Sequence, residues 1–232
     1  MNRVPQTLAD WKQSLCKRFE VGGLFSRNAI AHKWKAPFRS LTLRETVAWR
    51  VQDLLTQSYV LHDAGHALGA RILLRSALET VAILVYLNHL TRKVVAGTLG
   101  FHDFSSKTTS LLLGSRDKST SVSAINIITV LQKCEALYPG IEALYAALSE
   151  SAHPNHEGIC LGYSDIDPSE YVTTFSNKWA SMYSSSHVSG VELCMSLFDY
   201  EYNEEWPAAF QALEQWIVAN DTALEATKHE GV

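Results

Sequence analysis

Side chains able to move protons or hold anions concentrate in a few short stretches of this chain. The densest is the run YAALSESAHPNHEG from Tyr145 to Gly158. Leu144 and Leu148 share a helical face, and Pro154 disfavours αR geometry for the residue before it, so the helix should finish at His153. That sets His153, Asn155, His156 and Glu157 at and just beyond a helix end, with Tyr145 and Ser149 on the turns before it. Imidazole titrates near neutrality and the unpaired carbonyls of a helix C-terminus favour its charged form, which makes His153 a candidate acid or base. The plainer alternative has His153 and Asn155 bonding those carbonyls while Pro154 sets the exit angle.

Arg71, Arg75 and Glu79 form a second group. A spacing of four puts them along one side of a helix, where Arg75 can pair with Glu79 and Arg71 stands one turn away. Charges on an otherwise apolar helix are costly unless matched, so the group is either a buried ion pair that sets the fold's specificity or the floor of a polar pocket. If the helix ending at His153 packs beside this one, Arg75 can face His153 across a gap that suits a phosphate. A third group, His62-Asp63-Ala64-Gly65-His66, puts two histidines four apart, a spacing that can hold zinc on one helix face. Gly65 weakens that helix, and surface or capping histidines are the simpler reading.

The fourth is a basic stretch, SRNAIAHKWKAPFRS, in which Arg27, Lys33, Lys35 and Arg39 alternate with His32, Trp34 and Phe38. Lys33, Lys35 and Arg39 around Trp34 can clamp a base and its phosphates, while the structural alternative has the aromatics anchoring the stretch to the body of the fold. Residues 1–50 carry ten basic and three acidic side chains, whereas residues 150–232 carry two basic and fourteen acidic ones. Either the basic end meets an anionic ligand such as RNA or phosphate, or the two ends attract each other within a fold or dimer. The pI of about 6.1 favours the second, since dedicated nucleic-acid-binding domains lie above about 9.

The pattern along the whole chain is helical. Strict two-residue alternation is almost absent, and apolar groups recur at helical spacing, so the chain is expected to be all-α. The expected elements are a helix from Thr7 to about Glu20 stopped by Gly22-Gly23, an irregular arm over 21–41, and a long helix from Leu43, where Thr42 and Glu45 resemble a capping box. That helix runs to about Ala64, with a break at Gly65. A central helix over 66–90 is apolar on most sides and therefore buried. Shorter helices follow over about 103–113, after Ser121 or Ser123 up to Pro139-Gly140, and over 141–153. Asp167-Pro168-Ser169-Glu170 reads as a helix start, with helices over 168–183 and 187–202 joined at SSSH, and a last one over 203–227. With no repeat and no long biased loop, one domain is expected: residues 1–41 an N-terminal helix and basic arm, residues 42–232 a bundle around the central helix.

The longest apolar run, Val81 to Leu87, is seven residues against the ~20 a membrane helix needs. The N-terminal residues lack a secretory signal pattern, so the expected location is cytoplasmic. There is no P-loop, GxGxxG turn, GxSxG elbow or CxxC pair, and no cofactor or resident metal is expected.

The stretches ARILLRSALETVAILVYL and YAALSESAHPNHEG resemble bacterial all-helical proteins with an RSxxE helix and a later LSExxHPN turn. Those are similar in turn to the HEPN superfamily of helical bundles (higher eukaryotes and prokaryotes nucleotide-binding). The resemblance covers about residues 42–160. It implies a homodimer and a metal-independent endoribonuclease of a toxin or phage-defence system. In such proteins an arginine and a histidine from each subunit line a shared cleft. His153 matches the family histidine. Residues 143–152 contain no Arg or Lys, so Arg75 or Arg71 has to supply the cation; Glu79 and Asn155 complete the catalytic candidates. Arg71, Ser149, Tyr145, His156, Lys33 and Lys35 are the substrate-binding ones. The other function expected from the sequence is a non-catalytic helical module, also dimeric, that binds a partner protein or a small anion. A divalent-metal hydrolase using His62 and His66 is a distant third.

Overall fold

Proline placement decides where the first helices begin. In the computed structural model, which describes residues 3–228, α1 spans Val4–Ser14, three residues ahead of the expected Thr7 start. Pro5 lies in the first turn, where its missing N–H is no loss, and the Thr7 hydroxyl bonds back to the Arg3 carbonyl inside the helix. Residues 21–41 are helical rather than irregular: α2 is Val21–Arg27, α3 Ala29–His32, and α4 runs Lys35–Asp63. Asn28 caps α3, its Oδ1 accepting from the Ala31 N–H at 3.0 Å. Pro37 falls in the first turn of α4 and so does not break it. Thr42 and Glu45 are therefore no capping box. Thr42 bonds the Phe38 carbonyl, and Glu45 accepts from the Tyr202 hydroxyl at 2.9 Å.

Gly65, at φ +80°, separates α4 from α5, Ala67–Val95. Then come α6, Phe101–Leu113, α7, Ile127–Glu135, and α8, Ile141–Ala152. His153 closes α8 in extended geometry, φ −96° and ψ 146°, as the following proline requires. A π-turn over His156–Leu161 leads to β1, Ser164–Asp167, and β2, Val172–Phe175, an antiparallel ribbon pairing Ser164 with Phe175 and Asp167 with Val172. This ribbon replaces the helix expected from Asp167. The Asp167 carboxylate caps the ribbon's turn, accepting from the Ser169 and Glu170 N–H groups at 2.9 and 3.2 Å, and β-branched Val172, Thr173 and Thr174 prefer the strand. SSSH does not interrupt α9, Trp179–Tyr200, because His187 on its inner face is buried. After a π-turn, α10 covers Trp206–Ala226 with Pro207 in its first turn.

The protein is predominantly all-α, with ten α-helices and one two-stranded ribbon among the described residues. The residues pack as two compact units, each assembled from three stretches of chain. The first takes the N-terminal stretch up to Ser14, 49–81 and 134–197; its core includes Leu8, Leu55, Leu74, Leu78, Leu148 and Trp179. The second takes 15–48, 82–133 and the stretch from Phe198 onward, around Leu84, Leu87, Phe104, Leu131, Leu213 and Ile217. α5 is buried along most of its length in both, as its all-round apolar surface demands. No helix among the described residues is long and apolar enough to cross a membrane.

Candidate functional site

In the first unit the α5 arginines meet α8, and the two helices run antiparallel. Arg71 donates from Nε to Ser151 Oγ at 2.7 Å and from a terminal nitrogen to the Ala147 carbonyl at 2.9 Å. Its guanidinium lies 3.7 Å over the Tyr183 ring. Ser151 in turn donates to Glu157 at 2.8 Å, so the guanidinium and the carboxylate are linked through one hydroxyl. Arg71 is 6% exposed. Burial lowers its pKa, a shift that Tyr183 and Glu157 oppose. Tyr183 is raised by burial first and then by its bond to Glu157. Arg75, one turn along, donates to the Tyr145 hydroxyl at 2.8 Å and pairs with Glu79 at 3.3 Å. That ion pair is half-buried, each side chain about a quarter exposed.

Arg75 thus stands opposite Tyr145, eight positions before His153, which is about 12 Å of helix at 1.5 Å per residue. His153 and His156 are exposed. Asn155 holds the loop: its amide donates to Glu150 at 2.5 Å and its carbonyl oxygen accepts from the Gly158 N–H at 2.9 Å. The Ser149 hydroxyl is buried with no hydrogen-bond partner among the described residues. Of the residues singled out in this unit, the structure joins Arg71 to α8 and Arg75 to Tyr145 and Glu79. It holds Asn155 in the turn after His153. Ser151 and Tyr183 went unnoticed in the sequence. Ser151 carries a faint signal, four positions after Ala147 on one face, and Tyr183 carries none.

His62 and His66 do not share a helix face. His62 ends α4 and stacks on His187 with ring centroids 4.8 Å apart, while Gly65 turns the chain so that the His66 N–H bonds the Leu61 carbonyl. No group of three or more His, Cys, Asp or Glu side chains able to hold a metal occurs among the described residues.

The second unit contains a cleft of about 170 Å³ lined by Lys33, Trp34, Lys35, Arg39, Phe101, His102, Ser105 and Lys228. Lys35 opens α4 and Phe101 opens α6, so the positive ends of two helices border it. Trp34 is buried, its ring edge-on to Phe101 at 5.4 Å and its indole N–H donating to Asp221 at 3.1 Å. It anchors the stretch to the fold, as the structural alternative required. Lys33 bridges Asp221 and Glu225 at 2.7 and 2.8 Å, and its pKa is raised chiefly by the bond to Asp221. Lys228 lies 3.6 Å from Glu225. Arg27 and His32 both reach Glu214, at 2.6 and 2.7 Å. The basic N-terminal stretch therefore meets acids of the C-terminal helix inside this unit.

Arg39 is different. Among the described residues it donates only to the carbonyl and hydroxyl of Ser105, at 3.5 and 3.3 Å, and burial lowers its pKa. Among the described residues neither Arg39 nor Lys35 has a carboxylate within ion-pair distance. The cleft thus has two cations with no counter-charge among the described residues, beside two aromatic walls. Sequence pattern pointed to Lys33, Lys35, Trp34 and Arg39; His102 and Lys228 come from α6 and the C-terminal end, which local spacing cannot relate to them.

The chain matches no protein-family model, no curated protein and no solved structure.

Proposed function

We propose that this protein is a non-catalytic helical module that binds a small anion in the cleft of its second unit. The observation that carries this is Arg39, a half-buried guanidinium whose only partners among the described residues are neutral oxygens. Desolvating a charge is costly unless an opposite charge answers it, and an anion in the cleft supplies that charge. Lys35 and two helix N-termini add to the same field. The α5–α8 arginines serve as braces in this reading, since the bonds of Arg71 and Arg75 go to α8 and Glu79. The test is calorimetric titration of the full chain with inorganic phosphate and sulfate at low salt. Saturable binding that Arg39→Gln weakens supports the proposal; heats indistinguishable from dilution reject it.

A metal-independent endoribonuclease, dimeric and HEPN-like, is the second reading. The exposed His153 ring at the end of α8 favours it, with Arg75 as an α5 cation packed on α8 and still partly open to solvent. It requires Arg75 to leave Tyr145, or a second copy to bring its cation to His153. RNA cutting in EDTA that His153→Ala abolishes would establish it over the binding module.

A further inference from the structure

We infer that the anion the cleft takes is a phosphomonoester, the terminal phosphate of a small phosphorylated compound or of a nucleic-acid end. The inference rests on the anion-binding reading above and adds its chemical class. Charge is the first argument. Lys33 is answered by Asp221 and Glu225, and Lys228 by Glu225. Arg39 and Lys35 remain, two positive charges with no carboxylate among the described residues. A phosphomonoester carries about −1.5 to −2 at neutral pH and three acceptor oxygens, matching that surplus. A phosphodiester carries one charge and two such oxygens, and leaves one cation unanswered.

Donor geometry is the second argument. Arg39 uses one terminal nitrogen, Nη1, on Ser105, which leaves further donors of its planar fork for a bidentate grip on two phosphate oxygens. Lys35 adds a point charge, and the Ser105 hydroxyl is a further group at the wall. Size is the third. At about 170 Å³ the cleft is well under the ~300 Å³ lower bound for sites that enclose a drug-sized ligand. It has room for a phosphate and the first atoms attached to it. Phe101 and His102 offer an apolar and aromatic flank to the single substituent, whereas the Trp34 ring is covered by the Lys33 and Lys228 ammonium groups, 5.6 and 5.3 Å from its centroid.

The test compares phenyl phosphate with its methyl ester, a diester of the same ring, by calorimetric titration of the full chain. The monoester should bind at least about tenfold tighter, the scale of one charge-assisted hydrogen bond. Its affinity should rise from about pH 5 to about pH 7 as the second proton, with pKa near 6, is lost. Arg39→Gln and, separately, Lys35→Gln should each weaken the monoester by about tenfold. Lys35 is exposed, so its replacement leaves the fold intact even if Arg39→Gln does not. A 5′-phosphorylated RNA hexamer that binds well above both phenyl phosphate and the 5′-hydroxyl hexamer identifies a nucleic-acid end as the source; parity with phenyl phosphate identifies a small compound. Equal binding of monoester, diester and sulfate, all weakened by Arg39→Gln, would overturn the phosphomonoester assignment while leaving anion binding standing. No binding by any of them would remove both.

Discussion

Arg71 and Glu157 are joined through one hydroxyl: the guanidinium donates to Ser151 at 2.7 Å and Ser151 donates to the carboxylate at 2.8 Å. This relay ties α5, α8 and the turn after His153 together, beneath the Tyr183 ring. Removing the cation leaves Ser151, the Ala147 carbonyl and the Glu157 charge short of a partner. Arg71→Ala should therefore cost about 3 kcal/mol, typical of breaking a buried charged network, read as a lower urea midpoint with an unchanged slope.

Glu79→Ala should behave differently. The Arg75–Glu79 pair is partly open to solvent, and pairs of that kind contribute roughly 0–1 kcal/mol. A loss of several kcal/mol, the amount a fully buried pair would give, would show that the pair is sealed in solution. The comparison of the two variants in one urea series separates a brace from a surface pair.

His187 gives the fold a pH dependence. Its ring is buried, accepts or donates at the Ser58 hydroxyl at 3.1 Å, and stacks on His62; burial first, then His62 and Arg71, lower its pKa to about 4. The unfolded chain holds that proton from about pH 6.5 downward, while the folded chain refuses it until about 4. Between those values the unfolded state binds more protons, so stability falls as pH falls across the window. The loss approaches about 3 kcal/mol at its lower end, at 1.36 kcal/mol per unit. Urea midpoints at several pH values, for wild type and His187→Gln, check this: the variant's dependence should be shallower.

Gly158→Ala should disturb the turn that carries His153 and Asn155. A Cβ at this glycine would sit 2.0 Å from the His153 carbonyl oxygen, so the backbone has to move. The expected cost is about 1–3 kcal/mol, as for other forced overpacking, with the melting temperature as readout.

How far the fold was legible in the sequence depended on what kind of signal each element carries. The all-round apolar pattern of α5, the break at Gly65 and the stop before Pro154 are local properties, and all three stand in the structure. The start of α4 at Lys35 was hidden by Pro37, which reads as a breaker until its place in the first turn is known. Asp167-Pro168 was ambiguous because a carboxylate that caps a helix caps a ribbon turn equally well. The opposite charges of the two chain ends did foretell Lys33–Asp221 and Arg27–Glu214, since long-range charge complementarity leaves a mark in composition. The contacts Arg71–Tyr183 and Trp34–His102 leave none, and neither does the lack of a carboxylate near Arg39 among the described residues, which depends on how three stretches of chain fold together.

The anion-binding account is tested most directly by thermal unfolding of wild type and Arg39→Met with and without inorganic phosphate. Without phosphate, replacing an unanswered, half-buried cation with an apolar side chain of similar length should leave the melting temperature unchanged or raise it. With phosphate, wild type should gain stability that rises with the logarithm of ligand concentration above Kd, as RT ln(1 + [L]/Kd), and Arg39→Met should gain little. A variant that melts several degrees lower without phosphate, yet gains as much from phosphate as wild type, would contradict it.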